Sequence, residues 1–390
     1  MLYRTIPAVG KELSILGFGC MRLPVTAGGG IDEPAAERLM RAAFDGGINY
    51  FDTAWPYHEG KCEEFVGRAI KGYRDRITLA TKLPVWLVHE PKDMDDFLEK
   101  QLGFLRTDHV DLYLLHSLSA TRWRKMTEMG ALEFMERAKA SGKIRHIAFS
   151  FHDGLDTFRT IVDAYPWDMC QIQYNLLDRN FQAGAAGLEY AAAKGIGVVV
   201  MEPLKGGNIS LPVPEPLRDE AREAGYDSPN LADLGLRWVW DHPGVSVVLS
   251  GMTTPEQLSQ NLASADRGRP GGLSDAQRRF ADRVWKFFSD RMRVPCTACA
   301  YCKPCPQGVD IPQCFTNLNT AAISGNWEIQ GRNYRYILAP DRDGKRASAC
   351  VSCGACVPKC PQGIPIPEKL RERSEEHTSE LQSRSAISYA

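Results

Sequence analysis

Nine of the chain's twelve cysteines fall between positions 296 and 360, and eight of these form two similar runs. "CTACAYCKPCPQGVDIP" carries Cys296, Cys299, Cys302 and Cys305, and "CVSCGACVPKCPQGIPIP" carries Cys350, Cys353, Cys356 and Cys360. Structural disulfides are rare in reducing compartments, where the composition below places this chain. Zinc takes four ligands, and its C-x2-C pairs usually flank a spacer of about a dozen residues or more. Three cysteines spaced two apart, then a fourth followed by proline, match the thiolate run that wraps one corner of an iron–sulfur cubane, and this reading is favoured over zinc. The second run has that spacing in full; the first is one residue shorter before Cys305. Cys20, Cys62, Cys170 and Cys314 stand apart and are expected to pack as small apolar side chains.

A second set of reactive side chains interrupts apolar runs earlier in the chain. Asp52 follows "INYF", Lys82 follows "ITLAT", His116 follows "VDLYLL", Ser150 follows "HIAF", and Gln173 and Asn175 lie in "QIQYN". Singly, a strand-end Asp caps the next helix and a lone His is a satisfied core or loop residue. Together with the nearby Tyr57, they exceed what capping requires. Trp55, Trp86 and Trp123 are either pocket-lining or packing aromatics.

Eight short β-branched runs can hold these residues: "LSILGFG", "INYFDTA", "ITLATKL", "VDLYLLH", "IRHIAFS", "MCQIQYN", "IGVVVME" and "VSVVLSG". They alternate with amphipathic stretches, which predicts parallel β-α units, and the count of eight favours a closed (β/α)8 TIM barrel over an open doubly wound sheet. No GxGxxG opens the first helix, which counts against a dinucleotide-binding sheet. In a barrel the polar strand ends converge on the mouth where the β-α loops begin. The predicted organisation is an α/β barrel over 1–290, a small module over 291–372, and a polar tail, 373–390. The tail matches one reading frame of a common sequencing adapter and is read as a library artefact or a disordered terminus. Hydrophobic content of 44%, 24% charged residues and a net charge of -1 describe a soluble protein with no electrostatic footprint for nucleic acid or an anionic membrane. The first residues lack the apolar core of a signal peptide, and the longest apolar run, 196–201, is too short to span a bilayer, so a cytoplasmic location is expected.

"GGINYFDTAWPYHEGKCEEFVGRAI", "LATKL", "LRTDHVDLYLLHS" and "QIQYNLL" together resemble the aldo/keto reductase superfamily across roughly residues 1 to 290. The resemblance implies a catalytic tetrad at Asp52, Tyr57, Lys82 and His116, and hydride transfer between a nicotinamide cofactor, NAD(P)H, and a small carbonyl or alcohol. In that scheme Tyr57 protonates the oxygen of the reacting carbonyl. Lys82 lowers the Tyr57 pKa from about 10, Asp52 holds Lys82 charged, and His116 orients the substrate oxygen. The resemblance also implies cofactor contacts from Ser150, His152, Gln173, Met201, Leu204 and Asn261. Gly251 and Gln257 stand where basic residues often clamp a 2′-phosphate, so either nicotinamide is open.

The cysteine module is similar to helical ferredoxins, and a subset of aldo/keto reductase-like proteins carries such a module. By that likeness the fourth cysteine of each run serves the other cluster. Cys296, Cys299, Cys302 and Cys360 would hold one 4Fe-4S centre, and Cys305, Cys350, Cys353 and Cys356 a second, with a single cluster as the competitor. That likeness implies a redox partner protein as one role for the module. The competing functional class is an iron–sulfur electron-transfer or redox-sensing protein whose barrel binds nicotinamide without turnover.

Overall fold

A computed structural model describes residues 1–338 and 345–372; the tail read as adapter-derived lies outside them. The chain divides into two compact units, one made of Met1–Leu204 with Ser228–Arg278, the other of Lys205–Asp227 with the chain from Arg279 onward. The sequence reading kept 1–290 together; here the segment 205–227 groups with the cysteine-bearing unit.

The first unit opens with an antiparallel hairpin, β1 (Tyr3–Ile6) and β2 (Lys11–Ser14), that the sequence reading did not separate from the first barrel strand. The chain then alternates strand and helix: β3 (Leu16–Gly19), α1 (Glu33–Asp45), β4 (Tyr50–Asp52), α2 (Cys62–Ala69), β5 (Thr78–Leu83), α3 (Pro91–Leu105) and β6 (Val110–Leu118). It continues through α4 (Ala120–Glu128), α5 (Ala131–Ala140), β7 (Ile144–Phe151), α6 (Leu155–Ala164), β8 (Met169–Gln173), α7 (Gly184–Ala193) and β9 (Gly197–Met201). After α8 (Arg218–Glu223), which belongs to the other unit, follow α9 (Ala232–Trp240), β10 (Val247–Ser250) and α10 (Pro255–Ala265). The eight strands β3 to β10 are parallel and close into a barrel, β10 pairing with both β9 and β3. All eight predicted strands are present, because runs buried on both faces leave an unbroken apolar signature.

Inside the barrel, Tyr50, Ala80, Leu112, Leu114, Ala148, Met169, Val199, Val247 and Leu249 form one buried cluster with Ile6, Val9 and Leu13 of the hairpin. The hairpin therefore fills the end of the barrel at which the strands begin. Gly197, the first residue of β9, permits this: a Cβ there would lie 2.5 Å from the Ile6 side chain. Polar side chains cap two of these helices, Asp32 accepting from the Ala35 amide ahead of α1 and Thr254 from the Gln257 amide ahead of α10.

In the second unit, α11 (Asp275–Ser289), which starts in the first unit, leads into the first cysteine run, and α12 (Ile311–Ser324) and α13 (Trp327–Ile337) separate the two runs. Val294, Val309, Ile311, Phe315, Leu318, Tyr334, Ala347, Ile364, Ile366 and Leu370 form its core. Buried Asn319 on α12 fixes the approach to the first run, accepting from the Arg293 and Val294 amides and donating to the Val294 carbonyl at 2.7 Å. Among the described residues no helix is long and apolar enough to cross a membrane.

Candidate active site and cysteine sites

Strand register puts the tetrad types side by side. Asp52 ends β4, Lys82 lies near the end of β5, and His116 lies late in β6, within the register shift between Leu115 and Leu118. Tyr57 follows β4 in a tight turn whose next residues, His58 and Glu59, take left-handed backbone conformations. The Lys82 ammonium donates to Asp52 Oδ1 at 2.6 Å and to the Thr53 carbonyl at 2.8 Å, and its Nζ lies 3.3 Å from the Tyr57 hydroxyl. Lys82 is 0% and Asp52 2% exposed, so each charge depends on the other. Burial raises the Asp52 pKa above its ordinary value, with Lys82 pulling it back.

The His116 ring stands edge-on to Tyr57 at 6.3 Å between centroids, and its buried Nδ1 has no hydrogen-bond partner. Burial, then the positive charge of Lys82, holds His116 far below the usual histidine range, so it is a neutral imidazole. Tyr57 departs from the sequence expectation. Its pKa is raised well above the ordinary phenol value, chiefly by burial and then by the Asp52 carboxylate. The expected lowering by Lys82 fails for a physical reason: Asp52 matches the ammonium charge at close range, and loss of water penalises the phenolate. The site holds a protonated tyrosine, beside a neutral histidine.

The residues expected at the cofactor take up varied positions. Ser150, on β7, accepts from the Ser117 amide at 2.6 Å and so braces the turn after His116. His152 shares a 3.2 Å contact with Gln182, and burial pushes its pKa down to about 4. Gln173 closes β8 and donates to Asp178 at 2.7 Å, and Asn175 donates to the same carboxylate at 3.2 Å. Met201 ends β9 with its sulfur 3.7 Å from Gln171 Nε2, and Leu204 follows three residues later, half-buried. Asn261 is buried on α10 and donates to Ser250 Oγ at the end of β10. Of the three tryptophans, Trp86 lies 5.1 Å from the His116 ring, whereas Trp55 packs on Phe97 and Trp123 on Trp167.

Three further groups escaped the sequence reading. Arg122, on α4, donates to the Ser117 carbonyl and hydroxyl at 2.7 Å and lies 5.4 Å above Trp86. Glu202, just after β9, raises the Tyr57 pKa further. Glu63, buried on α2, accepts from Thr81 and from Gln101 Nε2, which also bonds the Lys82 carbonyl at 3.1 Å. Spacing in "CEEFVG" gave one usable signal for Glu63, since it lies on the face of α2 that also buries Cys62 and Val66.

The cysteine runs repeat in geometry as well as in sequence. The Ala298 amide donates to Cys296 Sγ, and the Ser352 amide to Cys350 Sγ, both at 3.4 Å. Left-handed residues recur at the same offsets, Ala298 and Ala300 in the first run and Ser352 and Gly354 in the second. These turns aim amides at the two sulfurs. One small pocket is lined by Cys296, Cys299, Cys302 and Cys360; another is lined by Cys305, Cys350, Cys353 and Cys356. The shorter first run contains a cis Lys303–Pro304 peptide, and Cys305 lines the cavity of the second run all the same. Burial and the neighbouring sulfurs of Cys299, Cys296 and Cys360 push Cys302 up to about 12. Among the described residues, no three His, Cys, Asp or Glu side chains are gathered as around a single metal ion. Cys20, Cys62, Cys170 and Cys314 are all buried.

The sequence model of the aldo/keto reductase family matches residues 15–269, and that of a 4Fe-4S dicluster domain matches residues 295–364. Aldo-keto reductase YhdN of Bacillus subtilis is 29% identical over 66% of this chain and 87% of its own. Aldo-keto reductase AKR11C1 of Bacillus halodurans, in its holo form, superposes with a TM-score of 0.61 at 28% identity, covering 73% of this chain and 96% of that one. An aldo-keto reductase of Klebsiella pneumoniae in complex with NADPH gives 0.59 at 27% identity over the same shares.

Proposed function

This chain belongs to the aldo/keto reductase family, and on that premise we propose that it interconverts a small carbonyl compound and its alcohol with NAD(P)H, while its C-terminal module carries two 4Fe-4S clusters. The observation that carries the catalytic part is the buried triad of contacts in which Lys82 Nζ meets Asp52 at 2.6 Å and the Tyr57 hydroxyl at 3.3 Å. A reduced nicotinamide, when bound, supplies the hydride that adds to the carbonyl carbon. Tyr57 donates its proton to the carbonyl oxygen as charge develops there. The phenolate left behind would sit 3.3 Å from the Lys82 ammonium, which stabilises it, and Asp52 keeps that ammonium charged. His116, neutral and with Nδ1 uncommitted inside the protein, orients the substrate oxygen beside Tyr57. Ser150, His152, Gln173, Met201, Leu204 and Asn261 are the residues proposed to hold the cofactor.

Cys296, Cys299, Cys302 and Cys360 are the proposed ligands of one cluster, and Cys305, Cys350, Cys353 and Cys356 those of the other. Two separate four-cysteine pockets support this over one cluster. Hydride transfer to a carbonyl moves both electrons in one step, so the tetrad does not require either cluster. Anaerobic purification with iron and sulfide counting, and a screen of aldehydes, ketones and sugars with both NADH and NADPH, test the reading. The expected result is about eight irons per chain and turnover with at least one carbonyl class.

A further inference from the structure

Resting on the iron–sulfur part of that reading, we propose that the surface around Cys353 is a docking site for a small, strongly acidic protein that carries a one-electron centre. Cys353 is the one exposed cysteine of the eight, and its cavity is also lined by Val351. Val351 is 63% and Val357 41% exposed, Val351 being the most exposed large apolar side chain among the described residues. The two valines bracket Cys353 and Cys356 within seven residues. The other cavity differs: none of Cys296, Cys299, Cys302 and Cys360 is exposed.

Scattered exposed valines need no explanation, so the apolar pair identifies no partner by itself. The charge around it does. Residues 345–372 hold five basic side chains, Lys345, Arg346, Lys359, Lys369 and Arg371, against two acids, Glu368 and Glu372, an excess of three positive charges in a chain of net charge -1. Glu372 is paired with Lys369 at 2.8 Å. Lys345, Lys359 and Arg371 are exposed, and Arg371 approaches Ser352 Oγ at 3.5 Å, beside the Cys353 loop. The Lys345 side chain runs along Gly308, whose amide closes the turn on the Cys305 carbonyl. Positive charge thus lies beside the second cysteine run and against the turn that follows Cys305. An apolar centre with a charged rim suits a brief, electrostatically steered encounter, and the sign of the rim selects an acidic partner.

The test uses the full, cluster-loaded chain under anaerobic conditions, with an acidic two-cluster ferredoxin as probe and a basic cytochrome c as the charge control, both followed by surface plasmon resonance. The ferredoxin is expected to bind saturably at low ionic strength and to weaken as salt rises, and the cytochrome not to bind. Joint Lys359→Glu and Arg371→Glu should weaken binding about tenfold or more, and joint Val351→Ser and Val357→Ser about fivefold, with unchanged iron content and visible absorption. Lys71→Glu, on the barrel, should leave binding unchanged. Loaded protein that fails to bind the ferredoxin overturns the proposal, as does equal binding of the cytochrome or equal weakening by Lys71→Glu. Iron analysis that finds no cluster overturns the underlying reading, and the docking proposal with it.

Discussion

Tyr57 keeps its proton because water is excluded around it and a carboxylate lies nearby, which leaves it ready to act as the acid of carbonyl reduction. Tyr57→Phe is expected to lower kcat/KM by about 10³-fold while nicotinamide affinity, measured by fluorescence titration, changes less than about twofold. Asp52→Asn leaves the Lys82 ammonium without its counter-charge in a fully buried site and should cost about 3 kcal/mol or more in urea unfolding. Glu63 adds a pH dependence of its own. Burial pushes it up to about 7 from 4.5, against the hydrogen bonds of Thr81 and Gln101. A folded-state value above the unfolded one means the native chain binds the extra proton, so this contribution is present below pH 4.5 and is lost as pH rises to 7. Unfolding titrations across that window should show a loss of about 3 kcal/mol that Glu63→Gln removes. The tetrad types were legible as polar interruptions of apolar strands. The direction of the Tyr57 shift was not, because it depends on Asp52 matching the Lys82 charge and on how deeply the hydroxyl is buried.

At the scale of elements, the segment between β9 and α9 departs most from the barrel pattern. In place of one short loop it forms helical turns over Lys205–Ser210 and Glu215–Leu217, then α8, and it packs with the cysteine-bearing unit. Gly206 sets the fit. Its φ is +64°, and a Cβ there would fall 2.0 Å from the Thr297 carbonyl oxygen, with Asn208 donating nearby to the Cys296 carbonyl at 3.2 Å. Gly206→Ala must therefore push the segment off the first cysteine run. Bleaching of the visible absorption by a chelator is expected to run several-fold faster in that variant than in Asn208→Ser, which can keep a hydrogen bond. Strands and most helices could be read because their periodicity is local. The β1–β2 hairpin and α4 could not: the end of β2 runs straight into β3 within the single stretch "LSILGFG", and α4 is short and polar, held by the Ser119 cap and by Arg122 on Ser117.

For the whole molecule, two units with separate cores predict two unfolding transitions in calorimetry. Removing iron should lower one by more than about 5 °C and leave the other in place, since a group that binds only the folded module stabilises only that module. Cys353→Ser should likewise spare carbonyl reduction while iron falls by about half, as expected if the hydride step runs within the barrel alone. The repeat of the cysteine runs was legible down to the missing residue before Cys305; that the runs line their cavities crosswise followed from likeness and not from spacing, which says nothing about what the intervening helices bring together. That crossing has a consequence for inheritance and for truncation. A chain ending after Ala349 would lose both four-cysteine sets, since Cys360 completes one and the other draws three of its four from beyond that point. Loss of either run would therefore break both four-cysteine sets at once.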